Sequence, residues 1–187
     1  MKDKVIELAK NTYDMMDWKY HVIPVVKNSL KLAEIKNANR EIVELAAYLH
    51  DIARADLKEH SKKDHDIRGA EIAYAFLTDL GYPEETAEKV ASCIRTHRGS
   101  NRELVPETIE AKILTTADAM SHFQCFPILF LLTGEKFKDE PEKKLKWASD
   151  KIDGDWNEKI MIEEARPLVE KEYRACRFLL DSMLEYL

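Results

Sequence analysis

Apolar residues recur along this chain at spacings of three and four, and no run shows the strict two-residue alternation of a half-buried strand. The pattern predicts an all-α protein. One helix is expected over about Val5 to Met16 and a second from near His21, with Pro24 accommodated in its first turn. Asn37 to Asn39 interrupts the periodicity. Asn39 suits the cap of the next helix, whose inward face is Ile42, Leu45, Ala46, Leu49 and Ala53. A polar loop from Asp56 to Lys63 leads to Asp64, the cap of a helix with Ala73, Phe76, Leu77 and Leu80 inward and Gly81 as its stop. Pro83 takes the first position of another helix, which carries Glu84 and Glu85 in its first turn and ends near Arg98 and Gly99. Pro106 opens one more, with Ile109, Ile113, Leu114 and Ala117 on one face.

The pattern changes after Pro127. A short apolar helix reaches Thr133 and Gly134, a charged segment surrounds Pro141, and a further helix ends at about Asp153 and Gly154. A long helical tail follows, which Pro167 is expected to kink or split. The tail reads as packing over the core, without a metal-ligand pattern of its own. The expected organisation is one helical domain over 1–187, with a core over about 20–123 and a C-terminal appendage over about 126–187.

Composition agrees with a helical globular chain and narrows its partners. The chain has 187 residues, of which 45% are hydrophobic and 34% charged, with five Gly and six Pro. A net charge of -6 argues against a large nucleic acid as partner, since that needs a basic face. It leaves room for a small phosphorylated substrate, because a bound metal reverses the local sign of a pocket. Cys93, Cys125 and Cys176 are far apart and form no CxxC pair, which fits reduced thiols in a cytoplasmic protein. The N-terminus has no apolar leader, and the most apolar stretch, Phe126 to Leu132, is too short to span a membrane. A homodimer is compatible with all of this.

The chemistry concentrates in the first two thirds of the chain, where all six histidines lie. His50-Asp51 sits late on an apolar helix, in AAYLHDIA, where an unpaired His and Asp would be costly to bury. By itself this pair reads as an ordinary hydrogen-bonded helix end. His21, at a helix start, and Asp118, in AKILTTADAMSHF, change that reading. Together the order H…HD…D supplies two imidazoles and two carboxylates from three helices. Such nitrogen and oxygen donors suit Mn, Fe, Co, Ni, Zn or Mg. A metal of this kind lowers the pKa of a bound water and polarises a phosphoryl oxygen.

In these residues, and in the surrounding YLHDIAR and LTTADAMSHF, the chain resembles the HD-domain superfamily of metal-dependent phosphohydrolases over about Tyr20 to Phe123. The resemblance implies a five-helix core, one or two divalent metals, and hydrolysis of phosphate esters or anhydrides. Two-metal members carry extra histidines between the HD pair and the last Asp. Here His65, in KDHDIRGAEIA, and His97, in ASCIRTHRGS, stand in that interval. The resemblance implies that Asp51 bridges two ions while His65 and His97 hold the second. The alternative is that both histidines bond phosphate directly.

Arg54, Arg68 and Arg98 are the candidate phosphate contacts, with His122, one helical turn after Asp118, as a pocket histidine or substrate contact. Asp51, Arg54 and Asp56 form the candidate catalytic set, Asp56 and neighbouring Glu59 being placed to act as an acid. The chain departs from some relatives. Arg54-Ala55 stands where alarmone hydrolases carry an acidic pair, and no GYP tripeptide of the cyclic-dinucleotide phosphodiesterases follows the HD pair. The expected function is hydrolysis of a small nucleotide or phosphoester. The rival expectations are a di-iron oxygenase on the same scaffold and a non-catalytic metal or nucleotide sensor.

Overall fold

The computed structural model describes residues 1–54, 64–98, 104–132, 137 and 139–186, and among these the regular structure is helical, with no strand. The helices in chain order are α1 (Lys2–Thr12), α2 (Met15–Asp17), α3 (Ile23–Lys36), α4 (Arg40–Leu49), α5 (His65–Asp79), α6 (Glu84–Thr96), α7 (Ile109–Gln124), α8 (Phe126–Leu132), α9 (Pro141–Gly154) and α10 (Arg166–Leu184). Two π-helical turns, Trp18–Val22 and Asp155–Lys159, join α2 to α3 and extend α9. None of the described helices is long and apolar enough to cross a membrane.

Local chemistry explains most of the boundaries. The first helix stops at Thr12, earlier than its periodicity suggests. Tyr13 is extended, and the Asp14 side chain accepts from the Asp17 N–H at 2.8 Å, starting the chain afresh. Asn37 takes the left-handed conformation that ends α3, and the Asn39 side chain caps α4 by accepting from the N–H groups of Glu41 and Ile42. Gly81 ends the α5 turn with φ +86. The helix expected to open at Pro106 opens at Ile109, because Thr108 accepts from the Ala111 N–H at 3.2 Å. The tail is split rather than kinked near Pro167: the helical run breaks over 160–162 and α10 begins at Arg166. Pro167 lies in the first turn of α10, where its missing N–H costs nothing.

Two apolar clusters share helices α3, α4 and α7. One joins α1, α4, α5 and α6, and contains Val5, Leu45, Leu49, Leu77, Val90, Ile94 and Leu114. The other sets the opposite side of α3 and α7 against α9 and α10, through Leu32, Ile113, Met120, Phe123, Ile152 and Leu180. The C-terminal third thus shares a core with the helices before it. Lys2 ties α1 down by donating to the largely buried Glu44 of α4 at 3.2 Å. Trp156 stacks on Tyr173 at 4.1 Å between ring centroids, which fixes the turn after α9 against α10.

Gly81 and Gly154 have opposite expectations. A Cβ at Gly81 meets no neighbour but is strained by the positive φ, so Gly81→Ala should lower stability by roughly 1–2 kcal/mol. Gly154 lies inside a continuous helical run with open space at its Cβ position, so Gly154→Ala should raise stability by roughly 0.5–1 kcal/mol. Urea midpoints of the two variants against the parent check both signs.

Candidate metal centre

The ends of several helices meet in one cleft. His50 is the C-cap of α4 and His97 the C-cap of α6, so two negative helix ends converge where a cation would be favoured. His65 opens α5, His21 lies in the first π turn, and Asp118 and His122 are one turn apart on α7. The HD pair does not lie on a continuing helix. Helix α4 stops at Leu49, and the Ile52 N–H to Leu49 and Arg54 N–H to Asp51 bonds close a tight turn over His50 to Arg54. The turn lets adjacent side chains serve the same space, which a regular helix would separate by about 100°.

Each of four histidines is fixed through Nδ1. His50 Nδ1 donates to the Ala47 carbonyl at 2.9 Å and His97 Nδ1 to the Ile94 carbonyl at 2.6 Å. His21 Nδ1 donates to Ser121 Oγ at 3.0 Å, whose own proton goes to the Asp118 carbonyl at 2.7 Å. His122 Nδ1 lies 2.8 Å from Asp155 Oδ2. A proton on Nδ1 leaves the Nε2 lone pair to the cleft, which is the arrangement that orients imidazoles for a metal.

The Nε2 atoms of His21, His50, His65 and His97 surround the Asp51 carboxylate at 3.3–3.7 Å. Asp51 Oδ2 is 3.4 Å from His21 Nε2 and 3.7 Å from His50 Nε2, while Asp51 Oδ1 is 3.3 Å from His65 Nε2 and 3.6 Å from His97 Nε2. His50 Nε2 and His21 Nε2 are 3.0 Å apart. Two donors each about 2.1 Å from one ion stand roughly 3.0–3.4 Å apart at tetrahedral or octahedral angles. The donor spacing therefore fits ions between the groups. Three sets of mutually close donors result: His21, His50 and Asp51; Asp51, His65 and His97; and His21, Asp118 and His122. Asp118 groups with His21 and His122, and His21 links that set to the one with His50 and Asp51.

Burial sets the charges. It pushes the His50 imidazole down to about 3, so this ring is neutral at pH 7. Burial also works against the Asp51 charge, but Arg54 and the neighbouring imidazoles hold the carboxyl well below its usual range. Arg54 Nη1 donates to Asp51 Oδ2 at 2.7 Å. At Asp118 burial is again outweighed, here by Lys159 and His122. Lys159 Nζ donates to Asp118 Oδ2 at 2.5 Å, and its own pKa is raised, because Asp118 and Asp155 outweigh burial.

Lys151, Asp155 and Lys159 come from the C-terminal third, and this corrects the reading of the tail as packing alone. Lys151 donates to both Asp155 oxygens, at 2.7 and 2.6 Å. Their spacing of four was visible, but on a helix it describes an exposed ion-pair ladder equally well. The cleft, of about 630 Å³, is lined by these three residues, by Arg54 and Arg98, and by an apolar wall of Ile128, Leu129 and Trp147. Arg68 is not among the lining residues. The buried face of α5 is His65, Asp66, Gly69, Ala70, Ala73 and Leu77, which leaves Arg68 exposed. Asp56, with Lys58, Glu59 and His60, lies outside the described residues.

Comparison with known proteins agrees with this geometry. The HD domain profile matches residues 18–122. The chain is similar over 99% of its length to a crystal structure of a predicted HD superfamily hydrolase from an uncultured Thermotogales bacterium, with 92% of that chain covered, 21% identity and a TM-score of 0.66. It is similar in the same way to Bacillus subtilis YpgQ, with 94% of that chain covered, 20% identity and a TM-score of 0.68. These likenesses concern the fold. A tRNA (cytidine(56)-2'-O)-methyltransferase from Picrophilus torridus is 32% identical in an alignment 110 positions long that covers 52% of this chain and 29% of that protein, so the chain spans less than a third of this relative's length.

The Asp118–Lys159 pair supplies a stability test. Removing the cation strands a buried carboxylate, a change that costs roughly 3–5 kcal/mol. Lys159→Met should show a loss of that size in denaturant unfolding at neutral pH with a chelator present. A loss below 1 kcal/mol would show that Asp118 does not depend on this lysine.

Proposed function

The chain belongs to the HD-domain family, and on that premise we propose that it is a phosphohydrolase that uses one or two divalent ions to cleave a small phosphorylated substrate, a nucleotide fitting best. The observation that carries this reading is the double use of Asp51. One of its oxygens faces His21 and His50, and the other faces His65 and His97. In this reading His21, His50, Asp51 and Asp118 hold one ion, and His65, His97 and Asp51 hold the other. The donor set contains no thiolate, which favours Mn, Fe, Co, Ni, Zn or Mg over softer ions. An ion held there supplies Lewis acidity, drawing charge from a phosphoryl oxygen and lowering the pKa of water beside it.

The chain's own residues do the rest. Arg54 and Lys159 balance the two buried carboxylates, so the donors are charged and oriented before substrate arrives. Arg98 lines the same cleft and brings positive charge to an anionic phosphate. Ile128, Leu129 and Trp147 offer an apolar wall for the organic part of the substrate, and the cleft volume suits a ligand of nucleotide size. The negative net charge of the chain favours such a small substrate over a polynucleotide.

Phosphate release from a panel of nucleotides and phosphoesters, with Mn, Co, Ni or Mg, tests the proposal. Activity should need the ion, persist without oxygen, and fall at least about 100-fold in Asp51→Ala, since even partners behind metal ligands are worth about 10–100-fold. Full turnover in Asp51→Ala sinks the assignment. Oxygen-dependent product without phosphate release favours the di-iron oxygenase instead.

A further inference from the structure

We propose that His122 is a ligand of the ion held by His21 and Asp118, and that Asp155 is the residue that positions it. The inference rests on the metal-holding part of the proposed function and not on the reaction.

Geometry assigns the tautomer of His122. Its Nδ1 is 2.8 Å from Asp155 Oδ2 and 3.0 Å from Lys151 Nζ. A carboxylate oxygen at that distance accepts a proton and would repel a lone pair, so Nδ1 carries the hydrogen. The Lys151 ammonium directs two of its three N–H groups to Asp155; giving the third to Nδ1 would turn that nitrogen's lone pair beside Asp155 Oδ2 at 2.8 Å. The Nε2 lone pair therefore points into the cleft, 3.6 Å from Asp118 Oδ1. His21 Nε2 is also 3.6 Å from that same oxygen, while Asp118 Oδ2 is engaged by Lys159. Two imidazole lone pairs thus converge on one carboxylate oxygen in a buried place. That arrangement is unfavourable for the three atoms alone and favourable around a cation.

The rings support the same ion. His21 and His122 lie parallel, with an interplanar angle of 4° and centroids 5.4 Å apart, and both Nε2 atoms stand 3.6 Å from Asp118 Oδ1. His21 has a single free nitrogen, so its set with Asp118 and His122 and its set with His50 and Asp51 share an ion. His122 then adds a donor to the four implied by the order H…HD…D. Asp155 lies beyond residues 18–122, in the second π turn, a kind of helical irregularity that recurs at functional sites.

The experiment measures Mn(II) binding to chelator-stripped protein by calorimetry, and locates Mn by anomalous diffraction from crystals of the parent. His122→Phe keeps a flat ring against His21 without a lone pair, and Asp155→Asn keeps the shape of the positioning residue. Asp155→Asn should weaken the site by roughly 10–100-fold, and His122→Phe by at least as much, while His65→Ala removes the other ion and leaves this one. An anomalous peak about 2.0–2.2 Å from His122 Nε2 supports the inference even if a variant fails to fold. Affinity within twofold of the parent in His122→Phe overturns it, as does an ion held by His21 and Asp118 more than about 3 Å from that nitrogen. Absence of Mn binding in the parent overturns the metal reading as well, which separates the two failures.

Discussion

Asp51 and Asp118 are ionised carboxylates only 4% and 5% exposed, and the surrounding structure answers to the cost of burying them. An ion this poorly hydrated costs several kcal/mol unless it is paired. His50 beside Asp51 brings no charge of its own, since burial leaves that ring neutral. The chain supplies one permanent cation to each carboxylate instead, Arg54 to Asp51 and Lys159 to Asp118. The histidines are thereby free to present lone pairs. Charge balance and donor supply are separate tasks here, carried by different side chains.

That division explains why the C-terminal third packs as it does. Lys159 reaches Asp118 only because the second apolar cluster fastens α9 and α10 to the outer side of α3 and α7. The stacked Trp156 and Tyr173 hold the intervening turn, and Arg166 lies over the Trp156 ring at 4.9 Å. The two π turns carry His21 at one wall of the cleft and Asp155 and Lys159 at another. Insertion of one residue into a helix re-aims the side chains after it, so both irregularities have a direct consequence for the site. Structures at 20% and 21% identity share this fold over 99% of the chain, which shows how loosely the architecture constrains sequence.

The periodicity of apolar positions determined the all-α class and most helices, because amphipathic spacing is a local property. The caps at Asn39 and the stop at Gly81 were legible for the same reason, whereas the start at Thr108 lost to a neighbouring proline signal. The order His21, His50-Asp51, Asp118 was legible because chemistry-bearing residues stand out in apolar helices. What the sequence could not determine was partnership across the chain. Nothing local distinguishes Lys159 from a surface lysine, nor Arg68 from a cleft arginine, since exposure is decided by which helix covers which face. The grouping of Asp118 with His21 and His122, and the opposed use of the two oxygens of Asp51, depend on distances of a few ångströms between segments far apart in sequence. Only the packing of α3, α4, α6 and α7, with the tail fastened behind them, sets those distances.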